Sequence, residues 1–192
     1  LLFRFNVNID DSKNNNLAES EAAQYLISIA NLFNSDFKVS NLLSILKHKI
    51  TRAGFEDIFY YHNLRLFELK IIRENFSLKN LEIISKRVKE FSNSDLEKWF
   101  DKKINILNIF NNIKDEDNFL EISKKNLECA RELSKNYQNN ILLKDLNGTE
   151  NIEIFINEIK DNISTFKVEY EVYCKILKDF LSNYSLEEKQ NH

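Results

Sequence analysis

The chain has 192 residues, of which 43% are hydrophobic, and a formal net charge of −3. That is enough for one domain with a real core or two small modules stacked along one axis, and a near-neutral chain with interspersed signs lacks the basic stripe of a nucleic-acid binder. With 2 Gly, 0 Pro and 0 Met it lacks the punctuation that a sandwich or barrel needs, so composition points to an all-α fold with few tight turns.

Residues 3–10, FRFNVNID, alternate apolar and polar side chains as a strand does, and they also fit a helical lead-in through Phe5 and Ile9. Residues 1–16 are therefore set apart as an N-terminal arm or lead-in, and 17–184 as the helical body. Ala22, Leu26, Ile29 and Phe33 step by four and three and predict a helix over 17–33. A long helix is expected from about Ser40 to Phe76. One row carries Leu43, Leu46, Ile50 and Ala53, then Phe55, Phe59, His62, Leu66, Leu69, Arg73 and Phe76. A parallel row holds Tyr60, Leu64, Phe67 and Ile71. Two apolar rows make this helix broadly buried, with Gly54 marking a kink or a close contact.

Ser77–Asn80 reads as a turn, and Leu81, Ile84, Val88 and Phe91 mark the next helix. Ser94-Asp95-Leu96-Glu97 has the spacing of a capping box and opens a helix through Trp99 or Phe100, Ile104 and Leu107. The acidic stretch 114–118 reads as a solvated loop, followed by a helix through Phe119, Leu127 and Tyr137. After a connector holding Gly148, Thr149 is placed as an N-cap. A near-heptad seam then runs through Ile152, Ile159, Ile163, Phe166, Tyr170, Tyr173, Leu177, Phe180 and Tyr184, a helix of roughly 50 Å. Residues 185–192 form a charged tail. The expected fold is an elongated bundle of five to six helices with a long C-terminal helix.

Cys129 and Cys174 both lie in expected helices, either as buried free thiols or as a bridge between facing helices. No stretch approaches the roughly 20 apolar residues of a membrane span, so membrane contact is expected only through segments flanking this chain.

Catalytic and metal signatures are missing from the sequence. The histidines His48, His62 and His192 form no HExxH, no CxxC occurs, and two glycines cannot build a phosphate-cradling loop. The expectation is a non-enzyme with no cofactor and no metal. What stands out is a polar pair on an apolar row: His62 and Arg73 share a register with Phe55, Phe59, Leu66, Leu69 and Phe76. An arginine in an apolar interior needs a partner. Either an interhelical acid or snorkelling to the surface satisfies it, or it receives a carboxylate-like anion in a bidentate fork. In the second case Arg73 and His62 anchor a small anionic or organic-acid ligand, with Phe59 and Tyr170 as pocket walls.

The run IIRENFSLKN, residues 71–80, followed by LEIISKRVKEF, residues 81–91, resembles helical extracytoplasmic sensor domains of bacterial chemoreceptors and sensor kinases. There an Arg-plus-acidic cluster precedes a Phe-Leu-like pair, a turn and an outgoing helix. This chain lacks the Lys-Asp before the Phe, and Ser77 stands where those domains carry an apolar residue. The resemblance implies a homodimer on the periplasmic side of the inner membrane that binds a small ligand. Shifts of its first and last helices would carry the signal to the membrane. The alternative is a helical module that binds a partner protein, on a surface, secreted or as an intracellular scaffold, with exposed aromatics as hot spots.

Overall fold

The computed structural model describes residues 16–73, 81–110, 116–162 and 166–184. The expected arm before residue 16, the turn at 77–80, Phe76 and the tail from 185 lie outside the described residues. The fold is all-α, with eight α-helices among the described residues. They are α1 Glu21–Asn34, α2 Val39–Leu46, α3 Asp57–Leu66, α4 Leu81–Glu90, α5 Ser94–Leu107, α6 Phe119–Leu133, α7 Thr149–Asn162 and α8 Tyr170–Ser182.

The first helix forms on the predicted spacing but starts at Glu21 rather than 17, because Leu17–Glu19 is a separate 3-10 turn. Ser20 caps α1 by accepting from the Ala23 N–H at 3.2 Å, and Ala22, Leu26, Ile29 and Phe33 are all buried. That helix packs against α2, α6, α7 and α8, which makes it central. Buried side chains from Leu17 to Leu181 join into one connected core, and the Leu17 N–H donates to the Tyr184 carbonyl at 2.7 Å.

Two expected long helices are broken, which is why there are more than five or six. The helix expected over 40–76 stops at Leu46 and restarts at Asp57. Between them Ala53 and Gly54 take φ of 51° and 78°, the left-handed region, which costs a non-glycine residue about 1–2 kcal/mol. The bend has a tertiary reason. The Arg52 and Ala53 N–H groups both donate to the Leu133 carbonyl, at 2.9 and 2.8 Å, and Gly54 donates to Lys135 at 2.6 Å. The segment thus satisfies carbonyls at the C-terminus of α6, groups that a helix end cannot satisfy itself. Gly54 also sits in close contact, since a Cβ there would lie 2.7 Å from the Lys102 Nζ.

The seam expected to run unbroken to Tyr184 is interrupted as well. Short strands β1, Glu116–Asn118, and β2, Lys167–Glu169, pair antiparallel with Asp117 opposite Val168. The stretch read as a solvated loop therefore ends in a strand. Phe166, expected in the seam, is exposed, while Tyr173 and Leu177 are buried as expected. Two caps also shift. Asn93, not Ser94, caps α5 by accepting from Leu96 N–H at 2.8 Å. Thr149 begins α7 rather than capping it, and its hydroxyl donates back to Leu143 O at 2.7 Å.

Candidate functional site

On α3 the buried row is Tyr60, Leu64, Phe67 and Ile71, the second of the two apolar rows. The first row turns outward: His62 is exposed, Leu69 is exposed, and Phe59 is half-buried, stacked on Phe55 at 5.1 Å. After Leu66 the helix widens into a π-helical segment, Phe67–Ile72, closed by the Arg73 N–H donating to Glu68 O at 3.0 Å, five residues back. Of the alternatives expected for Arg73, the structure shows exposure at the surface with an acid partner, the acid lying on its own helix rather than on a facing one. The Arg73 side chain is 66% exposed and pairs with Glu68 at 3.1 Å. Glu68 also holds Lys47 at 2.8 Å, and that bond, against some burial and with help from Arg73, keeps its carboxyl below the ordinary value.

His62 and Arg73 lie eleven residues apart on one rod, roughly 15 Å along its axis. Tyr170 is the first residue of α8, whose main partner is α1. Arg73 and His62 therefore face solvent apart from each other, and neither groove described below is lined by them or by Phe59.

Two buried cations sit instead against Tyr60 of α3, Lys103 from α5 and Arg52 from the segment before α3. Lys103 is 0% exposed. Its Nζ lies 3.7 Å from the Trp99 ring centroid, 4.7 Å from Phe55 and 4.8 Å from Tyr60, and donates to the Trp99 carbonyl at 2.8 Å. No carboxylate among the described residues pairs with it. Arg52, 7% exposed, reaches the same tyrosine from elsewhere, with its Cζ 5.7 Å from the Tyr60 ring and 4.6 Å from Tyr61. Burial is the largest single influence and disfavours the Arg52 charge, but the 2.6 Å bond to Asp57, the charge of Asp57 and the contribution of Tyr61 together outweigh it and leave the guanidinium above its ordinary pKa. Tyr60 itself is fixed by donating to Leu46 O at 2.8 Å.

Burial, and after it the like charge of Lys102, holds the Lys103 ammonium well below the ordinary lysine value. The three ring faces offset part of that cost. The sign of the pH dependence follows. Between the depressed folded value and the usual lysine range the unfolded chain binds more protons, so stability rises with pH across that window. Lys103→Met is expected to raise stability at pH 7 by about 1–2 kcal/mol, because an apolar side chain of similar volume avoids the buried charge. That advantage should shrink as pH climbs toward the lysine range. Denaturant titrations at pH 7 and pH 10 check this, and a methionine variant less stable than wild type at pH 7 would reject it.

The other polar groups of the core read as structural. Tyr25 donates to Thr51 at 2.8 Å, and Thr51 to Ile45 O at 2.8 Å. Asn126, fully buried, donates to Leu26 O at 3.2 Å and to Tyr173 at 3.4 Å. Both cysteines are free and buried, and burial pushes both thiols up, away from a reactive thiolate. Among the described residues no group of three or more His, Cys, Asp or Glu is placed to hold a metal ion, and no helix is long and apolar enough to cross a membrane.

The described residues also form surface depressions. One runs along a single face of α4, from Leu81 to Glu90. Another, about 590 Å³, is an open groove between α6 and α7. Its floor is Leu127, Ile141 and Ile156. Its rim carries both signs, with Arg131 paired to Glu153 at 2.6 Å across the two helices and Lys135 paired to Glu132. Glu128 stands exposed on the same wall. Comparison with family models, with curated proteins and with solved structures finds no match to this chain.

Sequence reasoning missed Lys103. The signal was there: Leu96, Trp99, Lys103 and Leu107 step by three, four and four, so the lysine falls on the buried face of α5.

Proposed function

We propose that this chain is a non-enzymatic helical module that binds a partner protein in the groove between α6 and α7. The observation that carries the reading is the groove itself: an apolar floor, open on one side, between rims of charged side chains. A partner helix would lay its apolar edge on Leu127 and Ile156 and set polar residues against the rims. Rim ion pairs contribute more to orientation and selectivity than to affinity. The competing proposal, an extracytoplasmic sensor for a small organic acid acting as a homodimer, needs Arg73 free to take an anion. The exposed pairing of Arg73 with Glu68 weighs for the partner-binding reading.

One experiment separates the two. A photo-crosslinking residue at Glu128 should give a discrete protein adduct in extracts of the native cell. The adduct should be lost when Arg131→Glu is added, and the same probe at the exposed Lys98 of α5 should give none. Equal adducts at both positions, or none at either, would sink the reading. A thermal shift with organic acids that disappears in Arg73→Ala would favour the sensor instead.

A further inference from the structure

Ile58 is 86% exposed, the most exposed large apolar side chain among the described residues. It does not stand alone. Tyr61 and Leu69 are exposed too, and Ile58, Tyr61, Arg65 and Leu69 step by three, four and four along the outer face of α3 and its π-helical extension. Tyr61 is held in place there: the Arg52 guanidinium lies 4.6 Å from its ring, and Tyr60 meets it edge-on at 5.6 Å. One exposed apolar residue is ordinary, but a stripe at helical spacing is a second helix face. Charge along this rod is graded. Glu56 and Asp57 are exposed at its start, and Arg65, Lys70 and Arg73 toward its end. Glu68, the one acid among the described residues of the basic half, is held by Lys47 at 2.8 Å and Arg73 at 3.1 Å. Such grading complements the helix dipole, but the dipole gives no reason for the apolar stripe. A face that is apolar along its middle and opposite in charge at its two ends is complementary to itself turned end for end.

We propose that the outer face of α3 pairs antiparallel with the same face of a second copy of this chain. A two-fold axis between Asn63 and Leu64 sets Ile58 against Leu69 of the partner subunit and Asp57 against Lys70 of the partner subunit. Tyr61 then lies against Leu66 of the partner subunit and serves as the rigid aromatic anchor of the contact. A parallel pairing would set Asp57 on Asp57 of the partner subunit and Arg65 on Arg65 of the partner subunit, so like charges select the antiparallel order. The rod from Asp57 to Ile72 is roughly 24 Å long. One helix pair of that length is a small interface, and the dimer comes apart on dilution. The face shares no residue with the α6–α7 groove, so a dimer carries two such grooves.

Sedimentation velocity over a dilution series is expected to show a monomer–dimer equilibrium. Ile58→Asp should weaken the dimer at least about tenfold. Its far-UV circular dichroism should match the wild type, since that side chain lies outside the core. Orientation is read with cysteines. Ile58→Cys mixed with Leu69→Cys is expected to give a disulfide-linked dimer under mild oxidation, and neither variant alone should. In the antiparallel pair, like positions lie roughly 16 Å apart along the axis, beyond the about 7 Å that a disulfide spans. The native Cys129 and Cys174 are buried and do not compete. A monomer at every concentration, a dimer indifferent to Ile58→Asp, or Ile58→Cys linking to itself as fast as to Leu69→Cys would overturn the proposal.

Discussion

Trp99→Ala is expected to lower the stability of the fold by about 3–5 kcal/mol, the largest single effect on the molecule. Its indole is fully buried and is shared by both long elements of the α3–α5 seam, packing on Tyr60 at 5.7 Å and on Phe67 at 5.6 Å. Phe67 continues the stack to Phe100 at 5.3 Å, so deleting Trp99 removes the middle of a four-ring layer. A second loss compounds the cavity. Without the indole face at 3.7 Å the Lys103 ammonium keeps its desolvation and loses its nearest attraction. The sum is a large share of the roughly 5–15 kcal/mol that holds an ordinary domain together. Trp99→Phe keeps a ring in place and should lose much less, about 1–2 kcal/mol. Far-UV circular dichroism in denaturant measures both variants without the fluorophore. A Trp99→Ala loss no greater than that of Trp99→Phe would mean that the ring layer is not what joins α3 to α5.

What the sequence made legible, and what it did not, divides at the point where contacts become tertiary. The body of the first helix was legible because its four-three apolar step is a local signal, and each stepped residue is buried; its start, set by the Ser20 cap, was not read. The rod beginning at Asp57 was legible as a helix but not in its orientation. Both rows of α3 are apolar and aromatic, so periodicity could not choose between them. The row that lost, through Phe59 and His62, was the one on which the candidate pocket rested. The π-helical segment at Phe67–Ile72 then leaves Arg73 at the surface.

Gly54 was legible as a kink or close contact, but the length of the break at 47–56, and the break before 170, were not. Ala53 adopts a left-handed backbone because three N–H groups of its segment meet carbonyls at the end of α6, some eighty residues later in the chain. Residues 167–169 leave the helical seam because 116–118 offer a strand edge. Neither partner is visible in a local window, and in both places a continuous apolar period ran straight through the break. The α6–α7 groove is likewise a product of two helices meeting. Each contributes ordinary amphipathic spacing, and only their juxtaposition leaves Leu127 and Ile156 at the base of one depression.

The second large effect is expected at a residue with no side chain. Gly148→Ala should cost about 2–4 kcal/mol. The position has φ of 88°, which an alanine adopts only at a penalty of about 1 kcal/mol or more. The space is also taken. A Cβ there would lie 2.3 Å from the Ser20 Oγ and 2.4 Å from its Cβ, with Leu17 Cδ1 at 3.4 Å. Ser20 cannot swing clear without consequence. Its short side chain is buried and caps α1, and next to it the Ala22 N–H is anchored to Asn147 O at 3.1 Å. Displacing that cap adds about 0.5–2 kcal/mol to the strain. The two sources separate in a double-mutant cycle. Ser20→Gly costs only the cap. In the Ser20→Gly background Gly148→Ala should cost no more than the backbone penalty, because the overlapping atoms are gone. A coupling energy of more than about 1 kcal/mol between the two substitutions is the expected signature of direct contact. Additive losses would mean that α1 and the turn before α7 do not meet there. The junction matters beyond these two residues. The turn at 146–149 seats α7, one wall of the proposed groove, against the start of the central helix. Loosening it should weaken partner capture even where the rest of the core stays folded.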